Sequence, residues 1–167
     1  MSQRVILTVG NSLMGDDGAG PFLAELLESE PAPGWVVIDG GMAPENVMHA
    51  VRAERPERVL LFDAAQMQLE PGAVRRIDEA DIAQKLLFNT HVIPLDMLIA
   101  SLRETVPKVT FAGIQPAEVT FYGAMTPTVR DAVVRVHRSL VDGADPDDWL
   151  LLRAELEDRN VRPCLSS

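Results

Sequence analysis

The chain has 167 residues, 47% of them hydrophobic and 24% charged, which is enough for one globular domain with a substantial core. Its formal net charge of −10 argues against nucleic-acid binding, which needs a basic face, and against an anionic membrane surface. The single cysteine, Cys164, excludes an internal disulfide framework and a thiolate zinc site, and no histidine near it in sequence could activate it as a nucleophile.

Val5–Val9 is the first apolar run and is too short for a signal-peptide core, and no stretch approaches the ~18 apolar residues of a membrane span. A cytoplasmic protein is therefore expected, with no membrane partner. Arg4 to Val9 reads as a strand buried on both faces. A glycine-rich stretch, Gly10 to Gly20, follows. Pro21 to Glu28 reads as a helix with Pro21 in its first turn and Phe22, Leu23, Leu26 and Leu27 at helical spacing. Trp35–Ile38 is a second strand closing on Asp39-Gly40-Gly41, and Pro44–Val51 a second helix. Arg58–Phe62 is a third strand, ending on Asp63.

Pro71-Gly72 marks a turn, and the alternation of Ala73–Ile77 predicts a half-exposed edge strand. Asp81–Leu87 reads as a short helix. Pro94–Glu104 is a helix with Leu95, Leu98, Ile99 and Leu102 on one stripe, and Val109–Ile114 is a further strand ended by Gln115-Pro116. The last long helix opens at Thr126, an N-cap residue type, with Pro127 at its first position. This alternation predicts a single three-layer α/β/α domain with a mostly parallel, twisted sheet over residues 1–143. Residues 144–167 read as an acidic, solvated C-terminal extension, with a helix over Trp149–Asp158 and a loose tail.

In a parallel α/β sheet, ligands bind outside the carboxyl ends of the strands. The glycines after the first strand do not form G-x-G-x-x-G, because position 23 is leucine, and Asp16 and Asp17 stand where a P-loop requires Lys and Ser/Thr. Two carboxylates would repel a polyphosphate, so they face something cationic or cap the following helix. Asp39 reads either as a rim acceptor, where a Rossmann protein keeps its ribose-binding acid, or as a turn residue. Gly40 and Gly41 allow close backbone approach and suit a turn or a tight groove.

Asp63 directly follows four apolar residues, and desolvation there raises a carboxyl pKa unless a cation or donors compensate. With a strand order of 2-1-3, Asp17 and Asp63 would face each other across the crevice between strands one and three. His91 lies in a polar break, Asn89-Thr90-His91, before a helix. His49 and His137 read as surface positions. Imidazole with carboxylates suits nickel or zinc, whereas carboxylates alone suit magnesium or calcium.

These stretches resemble the hydrogenase maturation endopeptidases, which trim the C-terminal extension from the large subunit of [NiFe] hydrogenases. Gly10-Asn11, Gly15-Asp16-Asp17-Gly18-Ala19-Gly20-Pro21, Ile38-Asp39-Gly40-Gly41, Asp63-Ala64, Thr90-His91 and Gly113-Ile114-Gln115-Pro116 carry the likeness, which runs from about residue 4 to residue 140. The combination most resembles the hydrogenase 3 branch, which serves the formate hydrogenlyase complex. The resemblance implies that Asp17, Asp63 and His91 contact nickel, that of the substrate, with zinc or cadmium able to stand in. It implies that the precursor is cut only after nickel insertion, with Asp17 and Asp63 as catalytic carboxylates. Asp16, Asp39, Gly40 and Gly41 are expected to shape the peptide groove.

No Ser-His-Asp or Cys-His constellation is evident. Either a metal with open positions activates the water, or it docks the substrate while Asp17 or Asp63 acts as general base. The expected partner is a large-subunit precursor of hydrogenase 3 type, met by a monomer in a transient complex. Two rivals stand beside this reading: a Rossmann-like nucleotide-binding enzyme, and a non-enzymatic nickel carrier or chaperone.

Overall fold

Parallel strands covered on both faces must be apolar along their whole length, and the chain supplies such strands in its centre. A computed structural model describes residues 3–78 and 95–152. β1 (Arg4–Thr8), β3 (Arg58–Ala64) and β5 (Lys108–Ile114) form the middle of a five-stranded sheet of order β2-β1-β3-β5-β4. Every residue of β3 is buried. β2 (Trp35–Asp39) and β4 (Val74–Ile77) take the edges. Four strands run parallel; β4 alone is antiparallel, hydrogen-bonded to β5.

Helices cover both faces. On one face α1 (Ala19–Ser29) and α4 (Pro127–Val141) pack with Leu23, Leu27, Val129, Val133 and Leu140 against Ile6, Leu60 and Phe62. On the other face α2 (Met48–Ala53) and α3 (Leu95–Arg103) bury Val51, Leu98, Ile99 and Leu102 against Val5, Leu7, Val59 and Leu61. Alternate residues of β1 and β3 thus feed two separate cores, as strand geometry demands. The three-layer α/β arrangement expected from the sequence is the one observed.

Boundaries differ where tertiary contacts outvote local pattern. β3 continues through Asp63 and Ala64, because β5 pairs with it as far as Asp63↔Gly113 and Ala64↔Ile114. α1 begins at Ala19, so Pro21 still falls in the first turn, where its missing N–H is no loss. The second helix enters through a 3-10 turn over Pro44–Val47 before α2. Thr126 has N-cap geometry but no capping hydrogen bond, because its hydroxyl is turned to another partner. His137 is buried rather than on the surface, its Nε2 2.9 Å from the Glu30 carbonyl oxygen; His49 is exposed.

Over residues 144–152 the acidic run is tied to the sheet, although Asp145 and Asp148 remain exposed. The 3-10 turn Pro146–Asp148 brings Asp145 and Asp147 to Arg58, at 2.8 and 2.9 Å, and Lys108 pairs with Asp147 as well. The Arg76 N–H donates to the Leu150 carbonyl (2.8 Å), Leu151 bridges to Arg76, and Leu152 is fully buried. The segment therefore covers the edge presented by β4, an edge that would otherwise leave backbone groups open. The predicted helix over Asp81–Leu87 lies outside the described residues. Of the helix predicted over Trp149–Asp158, only residues 149–152 are described, and Trp149–Leu151 are not helical there, because Leu151 bridges to Arg76 instead. Among the described residues no helix is long and apolar enough to cross a membrane.

Candidate active site

The chain leaves β1 in one direction to β2 and reaches β3 on the other side, so a crevice opens between β1 and β3 at their carboxyl ends. The Val9 N–H donates to the Phe62 carbonyl (2.9 Å), which carries the pairing to the last residue before Asp63. Asp63 is fully buried and stands at that end of the sheet. Asp17 arrives on a 3-10 turn, Gly15–Gly18, that packs against β3; it is 5% exposed. The structure thus brings both carboxylates to the switch point between β1 and β3.

Close approach makes this possible. A Cβ on Gly10 would lie 2.1 Å from the Asp17 carbonyl oxygen, and φ there is +150°; a Cβ on Gly20 would lie 2.1 Å from the Val9 carbonyl oxygen. Only glycine lets the loop and the first turn of α1 press onto the end of β1. These two glycines serve packing within the chain, in place of the phosphate contact that a nucleotide-binding loop would give them. Asp17 Oδ2 accepts from the Asn11 N–H at 2.9 Å, which orients the carboxylate.

Asp16 behaves differently from its neighbour. It is fully buried, and its carboxylate accepts from the N–H groups of Ala117, Glu118 and Thr126, at 2.7 to 2.9 Å, and from the Thr126 hydroxyl. It ties the loop between β5 and α4 to the turn that carries Asp17. Asp16, expected to shape a peptide groove, has its oxygens turned inward and engaged.

Asp39 is exposed at the end of β2, and its Oδ1 accepts from the Gly41 N–H (2.9 Å) and the Thr8 hydroxyl (3.3 Å). Gly40 is buried against the Thr8 carbonyl oxygen, whereas Gly41, at φ +54°, has open space where a Cβ would point. Its carbonyl accepts from the Gly10 N–H (2.9 Å), so Asp39 and Gly41 adjoin the loop carrying Asn11. His91 lies outside the described residues, four positions ahead of α3 in the sequence. Among the described residues no group of three His, Cys, Asp or Glu side chains is gathered to hold a metal. Asp17 and Asp63 provide oxygen donors of the type that suits a divalent cation.

Sequence reasoning missed three positioning residues. Asn11 joins Asp17 to the loop, and its Oδ1 accepts from the Leu13 N–H at 2.9 Å. Thr126 anchors Asp16. Buried Gln115 accepts from the Met67 N–H at 2.7 Å and donates to Gln66 Oε1 at 2.6 Å, holding the chain just after Asp63. Its available signal was a polar residue at the end of an apolar strand, the same signal that singled out Asp63.

Comparison with known proteins agrees with this geometry. The hydrogenase 3 maturation protease of Escherichia coli K12 is 52% identical over 136 residues, covering 81% of this chain and 87% of that protein. The hydrogenase expression/formation protein HoxM of Cupriavidus necator is 31% identical over 138 residues, 78% of this chain and 67% of its own. A crystal structure of a hydrogenase 3 maturation protease superimposes with a TM-score of 0.83 at 48% identity, covering 90% of this chain and 97% of that one. The solution structure of the endopeptidase HycI from Escherichia coli gives 0.83 and 48% as well, over 90% of this chain and 96% of that one. Residues 21–142 match the family described as hydrogenase maturation protease, and the chain belongs to that family.

Proposed function

We propose that this protease removes the C-terminal extension of a [NiFe] hydrogenase large-subunit precursor of the hydrogenase 3 type, and that it acts in the cytoplasm on the nickel-loaded form. The nickel belongs to the substrate. Asp17, Asp63 and His91 are its proposed contacts, and Asp39 and Gly41 the rim along which the peptide passes. The observation that carries the reading is a pair of buried carboxylates in a maturation-protease fold, Asp17 on the turn that packs against β3 and Asp63 at the carboxyl end of β3. A buried carboxylate attracts a cation more strongly than an exposed one, because the lower dielectric weakens screening. The crevice therefore favours a chain that carries a divalent cation beside the bond to be cut.

Peptide hydrolysis needs a polarised carbonyl and an activated water. Asp17, held by Asn11 and slightly open to solvent, is suited to take a proton from that water, while fully buried Asp63 is suited to hold the cation. The test is a cleavage assay on purified precursor with and without inserted nickel, read by intact mass. Loss of a C-terminal peptide from the nickel-loaded form alone is the expected result. An uncut precursor, with nickel content verified, overturns the proposal.

A further inference from the structure

Isolated exposed apolar side chains are ordinary, but adjoining ones beside a functional crevice are not. Among the described residues Leu13, Phe121 and Tyr122 are 51%, 65% and 74% exposed. They stand on the loops that follow β1 and β5, at the carboxyl ends of these parallel strands. The Tyr122 N–H donates to the Leu13 carbonyl at 2.6 Å, and the rings of Phe121 and Tyr122 lie tilted with centroids 4.1 Å apart. Tyr122 has φ +59°, a left-handed conformation that bulky residues rarely adopt and that surrounding structure must enforce.

The enforcement runs through the site itself. Asp17 accepts from the Asn11 N–H, the Asn11 side chain accepts from the Leu13 N–H, and the Leu13 carbonyl accepts from the Tyr122 N–H. Asp16 fastens both ends of the loop that carries the aromatic pair. The apolar surface is thus built onto the same scaffold as Asp17. A protease must hold a polypeptide across its crevice, and acidic groups suited to a cation give no grip on uncharged chain.

We propose that Leu13, Phe121 and Tyr122 form an apolar shelf that seats an apolar segment of the substrate polypeptide beside the Asp17–Asp63 crevice. This rests on the proteolytic reading above and names a substrate feature that it lacks. The test uses the full chain and nickel-loaded large-subunit precursor. Kd is read from the association phase in rapid mixing, and KM and kcat from initial cleavage rates. The variants are L13S, F121S and Y122N, the last because asparagine tolerates left-handed backbone. V134S, which alters an exposed apolar residue on α4, is the control.

Each shelf variant is expected to raise Kd and KM about ten-fold with kcat little changed, the loss of one large apolar contact. V134S should match the parent. Unchanged Kd and KM in all three folded shelf variants, or no association of the precursor with the parent chain, overturns the shelf. Cleavage with shelf-independent affinity would leave the proteolytic reading standing without it. Shelf-dependent binding of a precursor that is never cut would sustain the shelf and remove the proteolysis.

Discussion

Asp16 and Asp17 are adjacent, chemically identical and both buried, yet they have separate tasks. Asp16 spends its oxygens on backbone donors from the loop after β5, whereas Asp17 accepts from Asn11 on a turn that packs against β3. Asp17→Asn keeps an oxygen for the Asn11 N–H but removes the charge and the proton-accepting capacity. Asp63→Asn does the same at the end of β3. Each variant should cut the precursor at least ~100-fold more slowly, the usual loss when an acid–base group is removed. Circular dichroism and thermal melting should show a folded protein in both. Parent-like cleavage by both variants would separate these carboxylates from the chemistry. The pair of aspartates after a strand was legible in the sequence, but which one is structural was not. Local pattern contains no information about the Thr126 hydroxyl, 110 residues away.

Between elements, Asp16 acts as the clasp that joins the turn after β1 to the loop entering α4. Asp16→Asn leaves one acceptor oxygen for donors that now share two, and it turns an amide N–H₂ toward N–H groups. Buried hydrogen bonds to a charged group contribute about 1.5–3 kcal/mol each, so the variant should lose about 2–4 kcal/mol in denaturant unfolding. Hydrogen exchange at Ala117, Glu118 and Thr126 should rise before the rest of the chain does. Unaltered exchange there would deny the clasp. The same contact explains why Thr126, with cap geometry, does not cap: donating to Asp16 turns its hydroxyl away from the helix N–H groups from which a cap oxygen accepts. It also shows why the ends of elements were the least legible part of the fold. Strand and helix cores follow apolar periodicity, while their ends follow whatever polar partner the fold delivers.

For the molecule as a whole, the two ends of the sheet have opposite uses. The carboxyl end gathers Asp17 and Asp63, and the opposite end anchors the segment that follows α4 through Arg58 and Lys108. Buried Arg58 lies over the Trp35 ring, 5.5 Å from its centroid, and pairs with Asp145 and Asp147. The Asp147 N–H, then the Arg58 guanidinium, hold the Asp145 carboxyl below its ordinary value. At Asp147, burial pushes the carboxyl up, but the Lys108 hydrogen bond and the Arg58 and Lys108 charges outweigh it, and the net shift is downward.

A lowered folded pKa contributes stability that is present above the unfolded value, about 3.9, and is lost as pH falls through the folded one. D147N should therefore cost about 1 kcal/mol or less at pH 7, since Asp147 and Lys108 are partly solvated and Arg58 keeps Asp145, and the deficit should shrink as pH falls below the ordinary carboxylate value. Urea unfolding of parent and variant across that range checks the sign. A deficit that grows on acidification contradicts it.

The sequence by itself determined the α/β alternation, the two-faced burial of β1 and β3, the edge position of β4 and the placing of Asp17 and Asp63 at strand ends. Apolar continuity and periodicity are local properties, and the switch-point rule converts them into a site. Tertiary structure alone decided that Asp16 is a clasp, that Gln115 and Asn11 position the crevice, that His137 is buried, and that the acidic run docks on Arg58. Each of these depends on partners distant in sequence. A buried polar side chain is stable only where such a partner meets it, and local spacing does not encode that meeting.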